Sequence, residues 1–70
     1  MFGETIKSLR LSYNLSQVQL AGELNESKQT ISNWEDNNIL PSIEMLIKIS
    51  RFFAVSTDYL FTDVISKLPT

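Results

Sequence analysis

Apolar residues recur along the chain at helical spacing. Phe2, Ile6, Leu9 and Tyr13 are separated by four, three and four positions, one face of a helix over about 2–13. Leu20, Ala21 and Leu24 supply the inner face of a second helix over 16–24, and Ile31 and Trp34 that of a third over 27–36. Leu46, Ile49 and Phe53 do the same for a fourth, and Asp58, Tyr59 and Leu60 fall in a short last one. No stretch alternates with the period of a strand. Polar residues punctuate the pattern. Ser16, Ser27, Ser42 and Ser56 each stand where a helix begins, as an N-cap whose hydroxyl accepts an otherwise unpaired backbone N–H. Glu44 lies near the start of the fourth helix, where the helix dipole favours an acid. Asn14, Asn25 and Asn37 each stand just past a predicted helix end, where a residue in the left-handed conformation commonly stops the helix. The stretch "DNNILP", 36–41, reads as a loop. The expectation is an all-α, compact bundle of four or five helices, with residues 1–70 forming one domain.

Composition narrows the picture. The core of a 70-residue chain is marginal without efficient helix packing, disulfides, a metal or a partner chain. Cys and His are both absent, which removes disulfides and the common zinc sites, so no metal and no cofactor are expected. The longest apolar run, "FFAV" at 52–55, is too short for a membrane span or a signal-peptide core. A cytoplasmic protein with no membrane partner is expected. The net charge of −2 argues against a general polyanion binder. Its distribution adds a qualification. Residues 5–22 hold Lys7 and Arg10 with no acid, and residues 27–34 hold Lys28 with no acid. One part of the chain can face an anion while the rest repels it.

The second and third helices are short and joined by a tight break. That is the spacing of a helix-turn-helix over about 16–36, in which the second member, here about 27–36, can enter the DNA major groove. Ala21 is the small residue such a joint needs, and Asn25 can leave the helical region. Spacing alone is weak support, because other helical hairpins imitate it. More specific are "IKSLR" at 6–10, "LSQVQLAGEL" at 15–24, "SKQTISNWE" at 27–35, "PSIEMLIKIS" at 41–50 and "VSTDYLF" at 55–61. In order and spacing these resemble the XRE family of helix-turn-helix proteins, which includes phage repressors and Cro proteins. The resemblance covers nearly the entire chain. The family often has Gly where this chain has Asn14, Asn25 and Asn37, a mild departure, since Asn can adopt the same backbone conformation.

The resemblance implies a bundle that reads operator DNA, usually as a dimer. Side-chain chemistry at the third helix agrees with that. Gln29 can pair with adenine or donate to guanine, Asn33 can pair with adenine, Lys28 can donate to guanine or a phosphate, and Ser32 can serve either base type. Lys28, Gln29, Ser32 and Asn33 are therefore the candidate base readers. Thr30 suits a thymine methyl or a phosphate. Gln17, at the start of the second helix, matches a family position that contacts phosphate. Asn37, Asn38 and Ser42 are further backbone-contact candidates, although turn and capping roles explain them equally well. The resemblance also implies a structural ion pair between Arg10 and Glu35. Trp34 shares a face with Ile31 and belongs to the core.

Ile39, Leu40, Ile43, Met45, Ile47 and Phe52, together with Phe61, Val64, Ile65 and Leu68, are left over from the inner faces. They point to a homodimer contact near the fourth and fifth helices and the C-terminal segment, although Phe61, Val64, Ile65 and Leu68 are equally well read as cover for the bundle. A third alternative is one domain of a longer repressor whose other part dimerises. The expected function is a sequence-specific transcriptional regulator, a repressor of phage or bacterial type. It would bind a palindromic double-stranded operator as a dimer and occlude polymerase. The alternative is a protein-interaction module, such as an antitoxin or regulatory subunit. An enzyme is not expected, because no nucleophile–base pair, Gly-rich phosphate loop or metal cluster is present. No small-molecule substrate is evident.

Overall fold

Residues 2–61 are described by a computed structural model. The elements are α1 (Phe2–Ser12), α2 (Gln17–Leu24), α3 (Lys28–Glu35), α4 (Ile43–Phe53) and α5 (Thr57–Leu60). The described residues are all helix, turn and loop. Val64, Ile65 and Leu68, candidates for a dimer contact, lie outside them. No helix among the described residues is long and apolar enough to cross a membrane.

Local chemistry sets the helix starts. The Ser16, Ser27, Ser42 and Ser56 side chains accept from the backbone N–H of Gln19, Thr30, Met45 and Tyr59 respectively. A cap of this kind contributes about 1 kcal/mol. At Ser16 the box is reciprocal, because its own N–H donates to Gln19 Oε1 at 2.8 Å. The stops follow the asparagines: Asn14, Asn25 and Asn37 have φ of 59°, 58° and 61°. A fourth left-handed residue, Ala54 with φ 56°, ends α4. Its Cβ makes that conformation costly, and the sequence pattern gives no sign of it.

Two expected inner-face positions differ. Tyr13 lies beyond the last turn of α1 and is 47% exposed. Its ring meets Phe53 edge-on at a centroid distance of 5.0 Å, and its hydroxyl donates to the Phe53 carbonyl at 2.9 Å. A phenol whose hydroxyl needs a partner is better placed at a wet edge than in the core. Leu46 is only partly buried and packs against the core from outside.

The core joins Phe2, Ile6 and Leu9 of α1 with Leu20, Ala21 and Leu24 of α2, Ile31 and Trp34 of α3, Ile49 and Phe53 of α4, and Leu60 of α5. α3 is the hub, packed by both α1 and α2. Gly3 permits this. A Cβ there would stand 2.3 Å from the Glu35 carbonyl oxygen and 2.7 Å from that of Trp34. The Gly3 N–H donates to Asn37 Oδ1 at 2.9 Å, so the residue that stops α3 also caps the first turn of α1.

Candidate nucleic-acid interface

α3 has two distinct faces. Ile31, Trp34 and Glu35 are buried. Lys28 and Gln29 are exposed, and Ser32 and Asn33 are half-buried. Positions 28, 29, 32 and 33 repeat at helical spacing, so the four side chains form one stripe opposite the core. Gln29 Nε2 donates to Asn33 Oδ1 at 3.3 Å, joining two members of the stripe. Thr30 is half-buried, and its hydroxyl lies 2.9 Å from that of Ser27, within the cap of α3.

Glu35 is buried at the C-terminal end of α3. Its Oε2 accepts from Arg10 Nε at 2.7 Å, and its Oε1 accepts from an Arg10 terminal nitrogen at 3.1 Å. Oε1 also accepts from Gln17 Nε2 at 3.1 Å. A second terminal nitrogen of Arg10 donates to the Leu15 carbonyl at 2.8 Å. One carboxylate thus gathers α1, the start of α2 and the end of α3. The ion pair is buried, with the two side chains 9% and 3% exposed. An acid that would otherwise repel phosphate is thereby neutralised beneath the surface.

Sequence spacing did not announce the bonds that Arg10 makes to Leu15, Gln17 makes to Glu35, or Asn37 makes to Gly3. The Gln17–Glu35 and Asn37–Gly3 bonds join groups that the packing of α2 and α1 on α3 brings together, whereas Arg10 and Leu15 are five residues apart and meet across the turn after α1. Lys48 is a further case: its ammonium donates to the Leu24 carbonyl at 2.8 Å, at the C-terminal end of α2 where a cation is favourable. Asn38 is exposed, and its N–H donates to the Asn33 carbonyl at 2.9 Å. Ser42 Oγ accepts from the Met45 N–H, which leaves its O–H as a donor. Asn37, Asn38 and Ser42 therefore follow the chain from the end of α3 to the start of α4, while the four candidate readers lie on α3 itself.

The charges at the helix starts separate the elements. α1, α4 and α5 carry Glu4, Glu44 and Asp58 in their first turns, whereas α2 and α3 carry no acid there. α3 instead begins with Lys28, a cation at the positive end of a helix dipole. This arrangement is locally unfavourable, and an approaching anion reverses its sign. Among the described residues no group of acids could hold a metal ion.

Two short helices at a tight left-handed turn, with one buried and one polar face on the second, define a helix-turn-helix. Residues 6–60 match the Helix-turn-helix family, and the chain belongs to that family in its XRE-type form. The HTH-type transcriptional activator BcrR of Enterococcus faecalis is 43% identical over 61 residues, covering 87% of this chain and 30% of the relative. The SPbeta prophage-derived uncharacterized HTH-type transcriptional regulator YonR of Bacillus subtilis is 37% identical over 60 residues, 86% of this chain and 56% of the relative. An uncharacterized HTH-type transcriptional regulator of Methanocaldococcus jannaschii is 38% identical over 56 residues, 80% of this chain and 85% of the relative. The chain spans 30% of BcrR and 56% of YonR, well short of either protein's full length. No solved structure matches it significantly.

Proposed function

We propose that this chain is a sequence-specific DNA-binding transcriptional regulator whose α3 enters the major groove of a double-stranded operator. The observation that supports this most is the acid-free outer stripe of Lys28, Gln29, Ser32 and Asn33, set opposite a face buried through Ile31 and Trp34. A helix that only completed a bundle would need no such array of base-sized donors and acceptors. Gln17 at the start of α2, with Thr30, Asn37, Asn38 and Ser42, contacts the phosphates that fix the register of α3. Asn37 does so alongside its cap on α1. Residues 1–70 act as one DNA-binding domain.

A homodimer on a palindromic site places two copies of α3 about 34 Å apart on one face of DNA. It also doubles the phosphate contacts, which compensates for weak overall basicity. Repression follows by occlusion where the operator overlaps a promoter. That a bacterial relative is named an activator is compatible with this, because the position of the operator sets the sign.

Selection from random duplex DNA, with affinity measured at two salt concentrations, tests the reading. A palindrome with half-sites about one helical turn apart supports the dimeric reader. A lone half-site removes the dimer. No enrichment even at low salt overturns the whole proposal.

One observation favours a second reading, the protein-interaction module. Ile39, Leu40, Ile43 and Ile47 are exposed around the start of α4. A partner protein purifying with the chain at equal stoichiometry, with no DNA preference, would support it.

A further inference from the structure

The Gln29–Asn33 hydrogen bond has a consequence for which bases the two residues accept. This inference rests on the DNA-reading function proposed above. A glutamine amide has two N–H groups, one on the same side as its oxygen and one opposite. Pairing with adenine uses the oxygen, which accepts from N6, and the near-side N–H, which donates to N7. The far-side N–H is left over. Gln29 Nε2 donates to Asn33 Oδ1 at 3.3 Å, one helical turn further on. In that orientation the bond can use the far-side N–H, a donor that adenine does not require, and it then favours one end of the Gln29 amide as nitrogen. It also engages the Asn33 oxygen, so that the Asn33 Nδ2–H groups become its reading edge.

We propose that Gln29 and Asn33 act as one coupled recognition unit, in which Asn33 positions Gln29 for adenine while reading an adjacent acceptor edge with its own amide nitrogen. The acceptor edge is thymine O4 or guanine O6 and N7, and cytosine, which presents only the N4 donor, is refused. Both side chains lie outside the core, and neither takes part in the Arg10–Glu35 cluster. Their coupling is thus separable from the stability of the fold.

The test uses three proteins: the parent, Asn33→Ala and Asn33→Asp. Base preference is read by binding to a library of the selected operator randomised at the positions facing α3. Asn33→Ala removes the acceptor that holds Gln29. It is expected to lower the discrimination for adenine at the Gln29 position roughly tenfold, as well as abolishing preference at its own. Asn33→Asp keeps an acceptor for Gln29 but has no donor. It weakens affinity for every sequence, keeps the adenine preference at the Gln29 position and loses only its own. Equal melting temperatures for the three proteins establish that folding is unaffected. If adenine discrimination is unchanged in Asn33→Ala, or lost equally in Asn33→Asp, the two residues read independently and the proposal is overturned. A parent protein with no base preference at all is a separate result, which removes the DNA-reading function and not the coupling alone.

Discussion

Arg10 and Glu35, 25 residues apart in sequence, meet through two hydrogen bonds of 2.7 and 3.1 Å beneath the surface of the bundle. The guanidinium fork matches both carboxylate oxygens, and Arg10 also reaches the Leu15 carbonyl. Taking two charges out of water is costly, so the pair is not by itself a large source of stability. Losing one partner is a different matter, because the other charge is left buried. Glu35→Ala should lower unfolding free energy by roughly 3–5 kcal/mol. Urea denaturation measures it, and a loss below about 1 kcal/mol would show that the pair is effectively solvated.

Ala54→Gly should stabilise the protein. Ala54 holds φ 56°, a conformation that costs an L-residue with a Cβ roughly 1–2 kcal/mol and glycine almost nothing. Part of that is returned to the greater freedom of glycine in the unfolded chain. A net gain of about 1 kcal/mol is expected, read as a higher melting temperature. A lower one would mean that the methyl group contributes packing that outweighs the backbone strain.

Gly3→Ala should do the opposite. The new Cβ would stand 2.3 Å from the Glu35 carbonyl oxygen, and backbone cannot swing aside as a flexible side chain would. Forcing α1 off the end of α3 should cost about 1–3 kcal/mol. The same shift lengthens the Gly3–Asn37 hydrogen bond, so faster amide exchange at Gly3 should accompany the loss. Parent-like stability would indicate that α1 seats differently.

Gln17→Ala should weaken binding to all DNA sequences nearly equally, because a phosphate contact orients the protein without carrying base information. Competition between the selected operator and random duplex measures the ratio. An altered base preference would assign Gln17 to the bases, or would show that its bond to Glu35 sets the angle of α3.

The bundle was legible because serine caps and asparagine stops are local chemistry. Ser16, Ser27, Ser42 and Ser56 act within three residues of themselves, and Asn14, Asn25 and Asn37 act on their own backbone. Such signals survive in a linear sequence. Ala54 left no signal, since nothing about an alanine announces a left-handed residue. Tyr13 kept the apolar spacing of α1 but fell past its end, where the hydroxyl found the Phe53 carbonyl. The polar stripe on α3 was visible from the residue types alone. The bonds among its members, and the sharing of Glu35 by Arg10 and Gln17, depend on side-chain directions in three dimensions. Spacing does not encode them.

The proposed function stands on base reading by the outer face of α3. The most direct measurement is a comparison of base preferences between the parent and Gln29→Ala at every position of the selected operator. Gln29 is exposed, so truncation should leave the fold intact. A loss of about 1–3 kcal/mol on the preferred operator is expected, with preference relaxed at one base pair in each half-site. Binding with the parent's affinity and the parent's preferences would contradict it.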